Sequence, residues 1–248
     1  MLSKEDNELL TRTGPGTPMG VLMRRYWIPA ALSKQIEKPD SPPVRVHILG
    51  EKLVAFRDTN GRLGILEEAC PHRTASLYFG RNEECGLRCV YHGWKFDVEG
   101  NCIDLPSEPP GSNFQHKVRV KSYPVEERGG VIWTYLGPSD KKPEFPKLIW
   151  TQIPEDHLYV TRRIQECNWL QGLEGGFDTS HLAFLHTGIA DQSRKTVPSF
   201  YPCIPTDGGF VAGTGREIEE GKTLWAANMM FLPFHKVFAT SPEAAHIW

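Results

Sequence analysis

The residues best able to do chemistry stand in two short runs, Cys70-Pro71-His72-Arg73 and Cys89-Val90-Tyr91-His92-Gly93-Trp94, with sixteen residues between His72 and Cys89. Each run offers one thiolate and one imidazole. Thiolates are soft anionic donors suited to a buried ferric iron, while neutral imidazoles on a second iron remove negative charge from a cluster and raise its potential. Two thiolates for one iron and two imidazoles for the other form the donor set of a mixed-ligand [2Fe-2S] centre. A structural zinc site uses the same residue types but normally pairs cysteine with cysteine and histidine with histidine. Here each half mixes the two, so electron transfer is the first expectation and a zinc-stabilised interaction module the competitor. Cys85, four residues before Cys89, has no adjacent histidine and reads as an ordinary cysteine.

If each loop gives one ligand to each iron, the loops must close from opposite sides, as the tips of hairpins can. Leu53 to Phe56 and Leu63 to Leu66 flank Asn60-Gly61, a strong hairpin-turn dipeptide, and the second strand runs into the first ligand run. Leu87 to Tyr91 delivers the second run, and Trp94 to Asp97 leads into a turn at Glu99-Gly100-Asn101. Val118 to Val125 and Val131 to Leu136 alternate around Gly129-Gly130 and predict a closing hairpin. Ahead of these lie a short helix near Glu5 to Thr11, a Gly-Pro-rich stretch from Gly14 to Gly20, and an aromatic pair, Tyr26-Trp27, read as a packing anchor. Pro138, Pro143 and Pro146 mark a boundary. The organisation expected is a lead (1–42), a β-rich cluster domain (43–140) and a second domain (150–248) opening with a strand at Leu158 to Gln165.

The second domain holds the other informative stretch, from Asn168-Trp169 through Glu174, Asp178 and His181 to His186. On a helix, Glu174, Asp178 and His181 share one face and concentrate two carboxylates and an imidazole. His181 and His186 are five apart, roughly 140° around a regular helix, so gripping one ion would require the helix to unwind, kink or bulge between them. Two histidines plus one carboxylate, with positions left open, make the facial triad of non-haem Fe(II) oxygenases. Isolated histidines are more often core or surface groups, and the neighbouring carboxylates are what favour a metal here.

At 248 residues the chain has room for more than a single cluster module. It is 40% hydrophobic and 23% charged with net charge -2, which argues against a nucleic-acid partner. The start, Met1-Leu2-Ser3-Lys4-Glu5-Asp6, lacks an apolar core, so a signal peptide is not expected, and no apolar run would span a bilayer. Six cysteines, two of them assigned to the cluster, suit a reducing compartment, and a cytoplasmic location is expected.

Together, the two runs and Asn-Trp-x4-Glu-x3-Asp-x2-His-x4-His make the sequence resemble the Rieske non-haem iron ring-hydroxylating oxygenases, as the oxygenase component (alpha subunit), most closely the phthalate 4,5-dioxygenase-like branch. High-potential respiratory Rieske proteins carry an extra cysteine in each loop, absent here, which points to the lower-potential ferredoxins and oxygenases. The resemblance implies an α+β fold, a β-rich Rieske domain followed by a partial helix-grip-like catalytic domain. It implies that Cys70, His72, Cys89 and His92 bind the 2Fe-2S cluster, and that His181 and His186 bind a mononuclear non-haem Fe(II). Asp178 would bridge the centres across a subunit boundary through His181 and His92, Asn168 would sit near the iron, and Glu174 would be a neighbouring partner. An NAD(P)H-dependent flavin/iron-sulfur reductase, an aromatic small-molecule substrate with O2, and a homotrimer follow from the same likeness.

The family's third iron ligand is a far-downstream aspartate, whereas this chain ends 62 residues after His186. Asp191, Asp207, Glu217, Glu219, Glu220 and Glu243 stand in no matching context and read as solvated carboxylates. The third carboxylate ligand is therefore unknown, and a truncated product or fragment is expected. An aromatic carboxylate such as phthalate is the expected substrate class. A Rieske monooxygenase or O-demethylase, or an electron-transfer fragment without oxygenase activity, would share these residues.

Overall fold

A computed structural model describes residues 2–109, 111–186, 197–241 and 244–247, and the chain divides into two compact units, 1–164 and 165–248. In the first unit, helix α1 (Lys4–Thr11) starts at Ser3, whose hydroxyl accepts from the Asp6 N–H. Helix α2 (Pro18–Met23) starts at Thr17 with proline in its first turn. A helix therefore occupies the end of the Gly-Pro-rich stretch, because Thr17 caps it and Pro18 is already set at a helical φ.

Eleven strands follow in the first unit: β1 (Trp27–Leu32), β2 (Val44–Ile48), β3 (Glu51–Arg57), β4 (Leu63–Glu67), β5 (Arg81–Glu83), β6 (Gly86–Arg88), β7 (Lys95–Phe96), β8 (Cys102–Asp104), β9 (Ser122–Tyr123), β10 (Val125–Arg128) and β11 (Val131–Tyr135). They form three antiparallel sheets ordered β1-β11-β10, β2-β3-β4-β9 and β5-β6-β7-β8. The turn expected at Asn60-Gly61 joins β3 to β4, with Gly61 at φ +79. The glycine pair joins β10 to β11, both residues in the left-handed region. Val118 to Val125 is strand only in part, because Pro124 has no N–H and separates β9 from β10.

Trp27 is buried against Tyr135 and Phe145, and its indole N–H donates to the Pro143 carbonyl, so the aromatic anchor packs as expected. The strand expected at Leu158 to Gln165 does not form. Its alternation finds no strand to pair with among the described residues: Val160 packs into the Trp27–Trp133 cluster while Tyr159 is exposed.

The core of this unit gathers Val54, Phe56, Leu66, Leu77, Leu87, Trp94 and Phe96 around Cys70 and Cys89. Fully burying one such apolar side chain stabilises the fold by about 1.5–3 kcal/mol. Arg24 staples the lead to β3: it donates to Glu51 at 2.9 and 3.1 Å, and to the carbonyls of Thr13, Gly20 and Leu49.

In the second unit, helix α3 (Trp169–Phe177) precedes an antiparallel sheet ordered β12 (Cys203–Thr206), β13 (Gly209–Glu219), β14 (Lys222–Phe231), β15 (His235–Ser241) and β16 (Ala244–Ile247). The apolar runs Phe210 to Ala212 and Met229 to Phe234 fall on β13 and on the end of β14 with the turn into β15. Ile204, Trp225 and Phe231 on this sheet are exposed. No described helix is long and apolar enough to cross a membrane.

Candidate metal centres

The two Cys-His runs have one backbone design. Cys70 N–H donates to the Ala75 carbonyl at 2.9 Å, and Cys89 N–H to the Trp94 carbonyl at 2.8 Å, five residues on in each case. The cysteine carbonyl accepts in turn from the residue four on, Thr74 at 2.9 Å and Gly93 at 3.0 Å. That fourth residue takes a left-handed conformation in both loops, Thr74 at φ +56 and Gly93 at φ +77. Glycine takes it freely, whereas threonine holds it under strain. Space also demands Gly93, since a Cβ there would meet Pro106 Cγ at 2.7 Å.

Strands aim the loops. The first leaves β4 and is closed by a bridge between Ala69 and Ser76, and the second joins β6 to β7. Arg88 holds the second loop from below, donating to the Gly93 carbonyl at 2.8 Å and to Asp104 at 2.6 Å, and pairing with Glu83.

Both thiols are buried, and the imidazoles of His72 and His92 meet edge to face at 4.4 Å. Burial, with the Cys89 sulfur as neighbour, pushes the Cys70 thiol up to about 11 against the opposing N–H groups of His72 and Arg73. Such a thiol ionises near neutrality only beside a strong positive charge, which a metal supplies. His72 is shifted the other way: burial, then the nearby His92 and Arg73, lower its pKa. Its Nδ1 is buried with no hydrogen-bond partner. An orphaned ring nitrogen beside paired buried thiols is the donor chemistry of an iron-sulfur cluster with two protein donors per iron. Among the described residues, no three His, Cys, Asp or Glu gather closely enough to hold one ion. Cys85 lies apart from this core, half-buried at φ +62, with its sulfur accepting from Asn60.

The second unit places its residues differently from the helical reading. Helix α3 ends at Phe177, and Asp178 is its C-cap in extended backbone (φ -61, ψ 126). Asp178 and His181 therefore lie beyond the helix, off any face shared with Glu174. The carboxylate and imidazole meet through a turn: Asp178 accepts from the Ser180 N–H at 2.8 Å and contacts His181 Nδ1 at 2.9 Å. Chiefly because of the Ser180 N–H, with His181 adding to it against burial, Asp178 sits below the ordinary carboxylate range. The helix stops before either histidine, so no kink or bulge separates them; a 3-10 turn, His181–Ala183, follows, and the His181 and His186 rings lie 5.3 Å apart. Asn168 caps α3, accepting from the Leu170 N–H at 3.0 Å. Glu174 contacts Gln171 at 3.4 Å.

Residues that sequence reasoning passed over hold this turn. Arg216, buried on β13, donates to the Thr179 carbonyl at 2.9 Å, and the Tyr201 hydroxyl meets that of Ser180 at 2.7 Å. A cation at an inward position of a strand was the one available signal, visible only once the strand was known. Asp207, Glu217, Glu219 and Glu220 are exposed, while Asp191 and Glu243 lie outside the described residues.

Comparison with known proteins bears on the whole arrangement. Residues 26–124 match the Rieske [2Fe-2S] domain and residues 134–197 the LigXa C-terminal domain like family. The chain is 53% identical over 188 residues to the 3-chlorobenzoate-3,4-dioxygenase oxygenase subunit of Comamonas testosteroni, covering 76% of this chain and 43% of the relative. It is 48% identical over 189 residues to the phthalate 4,5-dioxygenase oxygenase subunit of Pseudomonas putida, covering 75% of this chain and 43% of the relative. A solved structure of Pseudomonas putida CBB5 NdmA with caffeine shares the fold at TM-score 0.69 and 24% identity, over 91% of this chain and 68% of that one.

The fold and paired loops thus define a Rieske iron-sulfur protein of α+β class. The chain belongs to the Rieske non-haem iron ring-hydroxylating oxygenases, in the branch of the phthalate 4,5-dioxygenase oxygenase subunits, whose members use a Rieske 2Fe-2S cluster and a mononuclear non-haem iron. It spans less than half the length of those two relatives.

Proposed function

We propose that this chain forms the electron-receiving half, and part of the oxygen-activating half, of the oxygenase component of an aromatic-ring dioxygenase. The observation that carries the reading is the matched pair of loops, with buried thiols and the unpartnered Nδ1 of His72. In this reading Cys70 and Cys89 hold one iron of the cluster, His72 and His92 hold the other, and His181 and His186 hold the mononuclear iron. The third ligand is a carboxylate not yet identified, and residues 150–248 are the opening part of the catalytic domain. When bound, the cluster supplies single electrons and the mononuclear iron a place for O2.

The chain's own residues keep the thiols from water and fix His181 through Asp178, leaving its other nitrogen for a metal. Asp178 also serves as the bridge to His92 of a neighbouring subunit in a cyclic homotrimer. Asn168, which caps the start of α3, is assigned a place near the iron in this reading. A reductase drawing on NAD(P)H through flavin and iron-sulfur groups delivers the electrons. The substrate is an aromatic carboxylate, the class named by the 3-chlorobenzoate and phthalate relatives, and the protein works in the cytoplasm.

The test is a visible spectrum, a count of iron and acid-labile sulfide, and EPR after dithionite reduction. A rhombic signal with about two irons and two sulfides per chain supports the cluster, and about one further iron supports the histidine pair. Colourless, zinc-containing protein overturns the reading.

A further inference from the structure

We infer that Trp94, held in place by Ser107, is the positioning residue that sets the orientation of the His72 imidazole and shields it from water. The inference rests on the assignment of His72 to the cluster and goes beyond it by naming what aims the ring.

A metal-binding histidine usually has its ring fixed by a hydrogen bond from the nitrogen that does not bind. The Nδ1 of His72 is buried and has no hydrogen-bond partner among the described residues. What holds the ring is contact. The Trp94 indole lies parallel to it, 4.4 Å between centroids and 8° between planes, and His92 presents its edge at 4.4 Å and 67°. Such close parallel stacking leaves an imidazole free to slide but not to tip, so the indole plane dictates the ring plane.

The indole is itself fixed. Trp94 is buried in the core, its N–H donates to the Ser107 hydroxyl at 2.9 Å, and Phe114 packs its edge at 6.3 Å. Pro106, next to Ser107, closes over Gly93 from the same segment. The route runs from an exposed serine, through a buried indole, to the ring of an iron ligand.

Two consequences follow. Reduction adds negative charge beside His72, and the electron-rich indole face together with the exclusion of water disfavours that charge. Removing the indole therefore raises the potential. It also lets the ring turn, which changes how strongly its nitrogen couples to the unpaired electron.

The test uses the full chain loaded with its cluster and the variants W94L, W94F, S107A and S107T. Each is characterised by iron and sulfide count, potentiometric titration and the nitrogen hyperfine couplings of the reduced cluster. W94L is expected to raise the ratio of reduced to oxidised cluster about tenfold at fixed potential, about 59 mV for one electron. W94F, which keeps an aromatic face but loses the N–H, and S107A are expected to shift both readouts in the same direction by less, and S107T to return them to the wild-type values. Unchanged nitrogen couplings in W94F and S107A at full iron and sulfide content overturn the inference. If W94L fails to fold, the exposed Ser107 substitutions decide by the same criterion. A wild-type chain that binds no iron or sulfide overturns the cluster assignment, an outcome distinct from the failure of Trp94 to position the ring.

Discussion

The two donor sites of this chain are built on opposite plans. In the first unit the donors sit in loops between strands, both thiols are buried, and every loop turn is closed by backbone hydrogen bonds that long-range sheet pairing holds in register. In the second unit the histidines lie in one short turn, both partly open to solvent, with His181 oriented by an aspartate three residues away and the turn pinned by Arg216. The first site brings together four donors from two distant runs, whereas the second gathers two from one run. A preorganised site places its ligands before metal arrives, while a locally held pair awaits partners to fix it.

The largest effect expected from breaking this contrast is the loss of the cluster in C89S. Removing one thiolate from a buried pair should abolish the reduced-state EPR signal while the far-ultraviolet spectrum of the second unit's sheet persists. A C89S protein with an undiminished signal would show that Cys89 is not a ligand. Next is G93A, which places a Cβ against Pro106 at a left-handed φ; it should destabilise the first unit by about 1–3 kcal/mol in urea unfolding. The mirrored change T74G relieves strain at the equivalent position and should leave stability unchanged or raise it, by less than about 1 kcal/mol. A T74G protein destabilised as much as G93A would argue against one design for both loops.

In the second unit, D178N should weaken iron binding at the histidine pair by about 10–100-fold while the cluster spectrum stays as it is. Equal loss at both sites would contradict the separation drawn here. The smallest effect is in pH. Burial lowers the pKa of His235 below its ordinary 6.5, so its contribution to stability is present above 6.5 and lost as pH falls through the folded value. Glu51 in the first unit is opposed by burial but held below its ordinary 4.5 by the Tyr123 hydroxyl, Arg24 and Lys121. Its contribution is therefore present above 4.5 and lost below. Mild acid should weaken the second unit first, and H235N should remove that early step in a pH series of thermal melts.

Much of the first site was legible because its signals are local. Mixed Cys-His spacing, the Asn60-Gly61 turn and the glycine pair at 129–130 each carry their meaning within a few residues. The second site was legible in its residues but not in its geometry. Glu174, Asp178 and His181 fit a helical face, yet the Asp178 side chain caps the Ser180 N–H and the helix ends. Asp competes for nearby backbone in this way, and periodicity alone does not record it. The strand expected at Leu158 to Gln165 failed for a related reason: alternation makes a strand only where another strand offers its edge.

What the sequence by itself determined is chemistry: which donors exist, in which two groups, and hence the class of centre they can form. Tertiary structure alone decided the environment of those donors. It set the matched backbone of the two loops, buried both thiols, brought Trp94 over His72, and placed Arg216 under the Asp178 turn. Donor type is a property of a residue, whereas burial, stacking and left-handed strain arise from segments that meet only when the chain has folded.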